Sequence, residues 1–218
     1  MIDHAIARQN MVESQIRPNS VTDRRIINAM ADVPRELFLP TENRPIAYMD
    51  EEVEFAPGRY LMEPRVFARM VQLADISDGD LVLDIGCGYG YSTSILARLA
   101  GTVVAVEDDE SLANEASELL AAQGVDNVAV IAGPLNAGLA GEGPYDVIVI
   151  NGEVSAVPMA LLGQLKDGGR LVAVIASRGI GRASVYQRSG DTFSDRIGFD
   201  AAAAGLPGFE AADPGFVF

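Results

Sequence analysis

From residue 81 onward, short apolar runs alternate with longer stretches whose apolar residues recur at helical spacing. The runs at 81–85, 102–106, 128–131, 147–150 and 171–175 each predict a strand. Val147-Ile148-Val149-Ile150 is apolar on both faces, as a central strand of a parallel sheet requires. Residues 92–99, 110–123 and 158–165 predict helices between them. The second shows a buried stripe at Leu112, Ala116, Leu119 and Leu120, with Gly124 as its C-cap. Strands and helices alternating at this length predict an α/β fold, a mostly parallel sheet with helices on both faces. Residues 183–188 and 192–199 flank Ser189-Gly190-Asp191, which predicts an antiparallel hairpin at the C-terminal end.

The first 75 residues follow a different rhythm, that of a helical N-terminal extension. Residues 3–15 carry Ile6, Met11 and Val12 on one side of a helix that Pro18 interrupts. Thr22 or Asp23 caps a second helix with Ile26, Ile27 and Met30, and residues 33–38 predict a short third one. Residues 41–63 show little periodicity and dense punctuation, a pattern that marks functional or mobile segments. The acids Asp50, Glu51, Glu52 and Glu54 in that segment predict a solvated face. Pro64 then opens a helix through Val66, Phe67, Met70, Val71 and Leu73. Residues 1–75 and a core of 76–218 are expected to form a single domain, and the alanine-rich 201–208 carry no legible chemistry.

Composition narrows the function. A chain of 218 residues, 49% apolar, can bury one sizeable core. A net charge of −15 argues against nucleic acid and anionic membrane as partners, since both need a basic surface. The single cysteine, Cys87, excludes an internal disulfide framework and a cysteine metal cluster, and no metal site is expected. The only histidine, His4, reads as a surface residue and not a general base. With no signal-peptide pattern and no apolar run of spanning length, a cytoplasmic protein is expected.

The chemistry gathers at Gly86-Cys87-Gly88-Tyr89-Gly90, between the first core strand and a helix. Such a turn lets a nucleotide-like ligand approach the backbone closely. The dinucleotide fingerprint needs its third glycine where this chain has Tyr91. The Gly-x-Gly-x-Gly turn is instead similar to the first motif of S-adenosylmethionine (SAM) methyltransferases. Asp84 would suit the sulfonium and amino charges of that cofactor. Glu107 lies about 20 residues beyond the glycines, where an acid holds a ribose diol. Asp108 either neighbours the ribose or opens the next helix. Cys87 fills a small slot between glycines, and Tyr89 and Tyr91 either flank the cofactor or cover the helix start.

With these pieces placed, the chain resembles the protein-L-isoaspartate O-methyltransferases. Met11-Val12-Glu13-x-Gln15-x-Arg17, Val33-Pro34-Arg35-Glu36-x-Phe38-x-Pro40 and Ala47-Tyr48-x-Asp50 carry the specific part of the likeness. Leu83-Asp84-Ile85-Gly86, Val157-Pro158, Leu161, Gln164-Leu165 and Gly168-Gly169-Arg170-Leu171-Val172 extend it. The resemblance implies a Rossmann-like methyltransferase fold that takes SAM or S-adenosylhomocysteine (SAH). It also implies methyl transfer to the α-carboxylate of an isoaspartyl residue in a damaged peptide. That carboxylate is ionised at neutral pH, so the reaction needs no general base. It implies a cofactor set of Asp84, Gly86, Cys87, Gly88, Gly90, Glu107, Asp108, Pro134 and Leu135.

Two places depart from the family pattern. Its substrate loop Gly-Gln-Thr-Ile-Ser-x-Pro is here Gly58-Arg59-Tyr60-Leu61-Met62-Glu63-Pro64. Met62 replaces a hydroxyl with a thioether that cannot donate, while Tyr60 keeps an OH at a different reach. Arg59 is expected to grip a carboxylate through two parallel hydrogen bonds, and Glu63 to repel one. The Gly-Asp-Gly after the third strand is here Gly133-Pro134-Leu135, with Asn136 as a substitute for the lost acid. These departures leave three readings: a methyltransferase with weak isoaspartyl activity or another acceptor, small molecules included; a non-catalytic SAM or SAH sensor; and an interaction module. The retained Asp84, glycines and Glu107 favour the enzyme.

Overall fold

One seven-stranded sheet organises the computed structural model, which describes residues 3–177 and 179–210. In chain order the elements are α1 (His4–Met11), α2 (Arg24–Asp32), β1 (Val53–Ala56), β2 (Arg59–Leu61), α3 (Pro64–Ala74) and β3 (Leu81–Ile85). There follow α4 (Tyr91–Leu96), β4 (Thr102–Glu107), α5 (Glu110–Ala122), β5 (Val128–Ala132) and β6 (Tyr145–Val154). The last are α6 (Met159–Leu162), β7 (Leu165–Ser177), β8 (Ile180–Ser189) and β9 (Thr192–Asp200). The sheet order is β5-β4-β3-β6-β7-β8-β9, parallel through β7 and antiparallel across β8 and β9. The chain winds outward from β3 to β5, then crosses to the other side of β3 for β6 and β7. The carboxyl ends of β3 and β6 therefore flank a topological switch point, where ligands bind in open α/β sheets.

Alternation along the strands builds a core on each face. Val82, Val103, Val147, Val149, Val172 and Val174 pack with Met11, Met30, Phe67, Met70, Ile95 and Leu120. Leu83, Ile85, Val104, Val106, Ile148 and Ile150 pack on the other side with Leu161, Leu162, Leu206 and Phe209. Each such buried side chain contributes about 1.5–3 kcal/mol, so the two cores dominate the fold's stability. Among the described residues no helix is long and apolar enough to cross a membrane, and no cluster of metal-ligating side chains occurs.

Several sequence expectations need adjustment. Asp23, not Thr22, caps α2, its Oδ1 accepting from the Arg25 amide at 2.8 Å. Of the three residues expected on one side of the first helix, Met11 and Val12 are buried but Ile6 is 59% exposed, and the chain widens into a π-helix at Val12–Ile16 that also buries Ile16. His4 is half-buried against the Tyr48 ring, 6.3 Å between centroids, and is not a free surface residue. The segment 41–63 is not structureless. It holds the β1–β2 hairpin, in which Val53 and Phe55 point inward and Glu54 outward. The helices expected at 92–99 and 158–165 shrink to α4 and α6. Glu52 leaves the solvated acidic face, both its oxygens accepting from the Ala204 amide at 2.9 Å. Residues 201–209 form a strap beside β6, with Ala204 O accepting from Glu153 N and Leu206 N donating to Glu153 O.

One buried cation ties the N-terminal region to the site. Arg35 is wholly buried; its Nε donates to Ala47 O at 2.7 Å and its Nη2 to Met62 O at 2.6 Å. Its guanidinium lies 4.9 Å from the centre of the Tyr91 ring, at the start of α4. Burial lowers its pKa, opposed by Tyr91.

Candidate active site

The turn after β3 bends through three left-handed glycines, Gly86 (φ 76°), Gly88 (φ 54°) and Gly90 (φ 93°). A side chain at any of them would strain the backbone. Asp84 lies beneath this turn, fully buried. Its Oδ2 accepts from Ser92 Oγ (2.8 Å) and Thr93 Oγ1 (2.6 Å), and its Oδ1 from Asn151 Nδ2 (2.6 Å). Burial raises its pKa against the pull of those three donors. The expected contact between Asp84 and a bound cation is not what these bonds serve. They staple β3 to α4 and β6 and take three of the roughly four acceptor positions of the carboxylate.

Glu107 ends β4 at the rim of the turn. Its Oε1 accepts from Arg59 Nη1 (2.5 Å) and Asp108 N (3.0 Å), its Oε2 from Arg59 Nη2 (2.7 Å) and Gly88 N (2.7 Å). The side chains of this pair are 8% and 0% exposed. Arg59 Nη1 also donates to Asp108 Oδ1 at 2.6 Å. Burial works against the charge of Arg59 but is outweighed by the two acids, which hold its pKa above the ordinary value. Burial pushes the Glu107 carboxyl up, against the pull of Arg59 and the Gly88 amide. Arg59 thus grips a carboxylate through two parallel bonds, as its chemistry predicts, but the carboxylate is the chain's own.

The glycine surface is also covered. A Cβ on Gly88 would stand 2.5 Å from the Phe55 ring, and one on Gly86 2.9 Å from Leu206. Between Arg35, Phe55, Met62, Phe67, Gly86 and Asn151 there remains a cavity of about 20 Å³. That volume suits a single water, whereas ligands of cofactor size occupy about 300–1,000 Å³. SAM does not fit this arrangement while Arg59, Phe55 and Leu206 keep their places. A wider depression of about 480 Å³, lined by Leu37, Thr41, Arg44, Tyr89, Glu115 and Glu118, touches neither Glu107 nor Gly86 and Gly88.

The other candidates spread outward. Tyr60 is exposed, and Met62 is buried with its carbonyl on Arg35. The Cys87 thiol is buried, and burial pushes its pKa well above the ordinary value. Tyr89 meets Phe55 edge-on at 5.6 Å, while Tyr91 is sealed against Phe38 and Phe67 and covers the helix start. Asp108 precedes Asp109, which caps α5. Pro134 is exposed, Leu135 joins the second core, and Asn136 Nδ2 donates to Gly208 O at 2.9 Å. Sequence reasoning missed Phe55, Asn151 and Leu206. Asn151 had a signal, a polar residue closing an apolar strand, and Phe55 had the short alternation around Glu54.

A doubly covered parallel sheet with an antiparallel end, a glycine turn after the first core strand and an acid closing the next define a Rossmann-like methyltransferase. The sequence model of the family "Protein-L-isoaspartate(D-aspartate) O-methyltransferase" matches residues 6–198, and the chain belongs to that family. A protein-L-isoaspartate O-methyltransferase of Methanoculleus marisnigri is 39% identical over 171 residues, 78% of each chain. One from Koribacter versatilis is 38% identical over 173 residues, 79% of this chain and 78% of the other. A solved protein-L-isoaspartate O-methyltransferase superposes with a TM-score of 0.78 at 24% identity, covering 92% of this chain and 66% of that one. A Plasmodium falciparum structure described as a complex with SAH gives 0.77 at 20% identity, covering 94% and 99%. These two likenesses show the fold.

Proposed function

We propose that the chain transfers the methyl group of SAM to a carboxylate of an isoaspartyl residue in a damaged peptide or protein, the activity its relatives are named for. The observation that carries this reading is the family match along residues 6–198, with the glycine turn and Glu107 retained inside it. The chemistry asks little of the side chains. An ionised carboxylate needs no base, so the absence of a histidine near the turn is no obstacle. A site of this kind works by orientation and water exclusion. The net charge of −15 supports a peptide acceptor over nucleic acid. The loss of a hydroxyl donor at Met62 lowers the ability to aim an incoming carboxylate, so slow turnover is part of the reading.

The test is transfer of labelled methyl from SAM to an isoaspartyl peptide, with the matching aspartyl peptide as control. Label on the first alone, released by mild base as an ester should be, supports the reading. Retention of SAM with no label on any acceptor would mark a non-catalytic module instead. Met62→Ser should raise the rate by restoring the donor.

A further inference from the structure

The cleft at the switch point is stopped by the chain itself, and the stopper is built in the shape of what it displaces. A carboxylate offers about four acceptor positions. Those of Glu107 are taken by two bonds from Arg59 and one each from the Gly88 and Asp108 amides. A ribose diol donating to Glu107 would need the two directions that Arg59 fills. Phe55, on the other strand of the same hairpin, lays its ring on Gly88, the backbone along which the ligand would lie. Hairpin and strap are linked, since Glu52 accepts from Ala204 N and Leu206 covers Gly86.

We propose that the β1–β2 hairpin is an internal competitor for the cofactor: Arg59 holds Glu107 in place of the ribose hydroxyls, and SAM or SAH enters only when Arg59 leaves. This rests on the methyltransferase reading above and deepens it, naming the residue that sets cofactor affinity. A neutral diol replaces a cation on a buried carboxylate, so the exchange loses a charge pair and binding is weakened accordingly. Asp108 gives the departing guanidinium a second carboxylate nearer to solvent, 38% exposed against none for Glu107.

The test measures SAH affinity by calorimetry on the full chain, for the wild type and for Arg59→Gln, Arg59→Lys and Phe55→Ala. Arg59→Gln should bind at least tenfold more tightly than wild type. Arg59→Lys, which keeps one charge but not the two-bond grip, should fall between, and Phe55→Ala should also gain. Thermal melts identify any variant that fails to fold, and the remaining variants then decide. Hydrogen exchange supplies a readout that a purely structural role would not move. Saturating SAH should speed exchange of the amides at 53–61 in the wild type as the hairpin is expelled. Equal affinity in wild type and Arg59 variants, with hairpin protection unchanged by SAH, overturns the competitor and leaves the cofactor reading standing. Absence of SAH binding in every folded variant overturns both.

Discussion

Replacing Arg59 by methionine removes one partner of a buried pair and leaves the other without its cation. Glu107 would keep the Gly88 and Asp108 amides but lose both charge-assisted bonds. Breaking a buried pair in this way costs about 3–5 kcal/mol. Against a total stability of about 5–15 kcal/mol, that is a fall in Tm of roughly 6–20 °C for a chain of this size. Glu107→Gln should cost less, because Arg59 retains Asp108 at 2.6 Å. The double variant should cost less than the sum of the two.

The penalty has a pH signature. Once Arg59 is gone, burial raises the Glu107 carboxyl unopposed by that cation. The folded form then holds a proton over a range where the unfolded chain has released it. The loss is therefore fully present above the raised folded pKa and fades as pH falls toward the unfolded carboxyl value of about 4.3. Urea unfolding of the four proteins in the cycle at pH 7.5 and pH 5 measures both effects. Relief by opening of the hairpin would show as fast amide exchange at residues 53–61. A pH-independent loss under about 1 kcal/mol, with coupling below about 0.5 kcal/mol and hairpin protection intact, would refute a buried bidentate pair.

Asp84→Ala should destabilise by about 2–4 kcal/mol, since three side-chain donors lose their acceptor in a sealed site, while Asp84→Asn should cost less; unfolding curves that superpose on wild type would place the carboxylate at the surface instead. The buried Cys87 thiol, held protonated by its surroundings, should react with a thiol reagent orders of magnitude more slowly in the native protein than in denaturant, and comparable rates would contradict its burial. Leu206→Ala should cost about 2–3 kcal/mol and raise exchange at residues 201–209, because its side chain fills the space above Gly86 and Gly152; unchanged stability would mean that the strap does not pack on the turn.

The sheet was legible because its signals are long and local. Each of the five core runs is four or five residues of mostly apolar chain, and the structure places a strand at each. The parallel pairing and the covered faces follow from the alternation and connection lengths, and the C-terminal hairpin from its Ser189-Gly190-Asp191 turn, whereas the strand order has no local signal. The hairpin at 53–61 was not legible, since Pro57 and Gly58 interrupt a four-residue alternation before it can be told from a loop. The strap was not legible either. It pairs through the backbone of Ala204, Gly205 and Leu206 with a strand some fifty residues earlier, and backbone pairing leaves no mark in side-chain pattern. The Arg59–Glu107 contact spans 48 positions. Sequence identified what each residue could grip, a carboxylate for Arg59 and a ribose diol for Glu107, but nothing local says that the two would meet each other.

That meeting sits at the tip of a segment anchored near both ends. Arg35 fixes the carbonyls of Ala47 and Met62, so the segment between them is clamped near both ends by a single wholly buried side chain. The tip between the clamps is a two-stranded ribbon, which has marginal stability by itself. Its inward ties include Arg59 on Glu107 and Asp108, Phe55 against Gly88 and Tyr89, the buried Val53, Glu52 on the Ala204 amide, and the carbonyl of Glu54 accepting from Asn43 Nδ2 at 2.5 Å. Releasing Arg59 removes the charged tie and leaves the Arg35 clamp in place, with Val53 and Phe55 as the remaining apolar ties to the first core. On the competitor reading the hairpin opens as a flap about these anchored ends, giving up the burial of Val53 and Phe55 but no strand of the seven-stranded sheet. The cost of that opening, one charged pair and two apolar side chains, is what cofactor binding would have to offset.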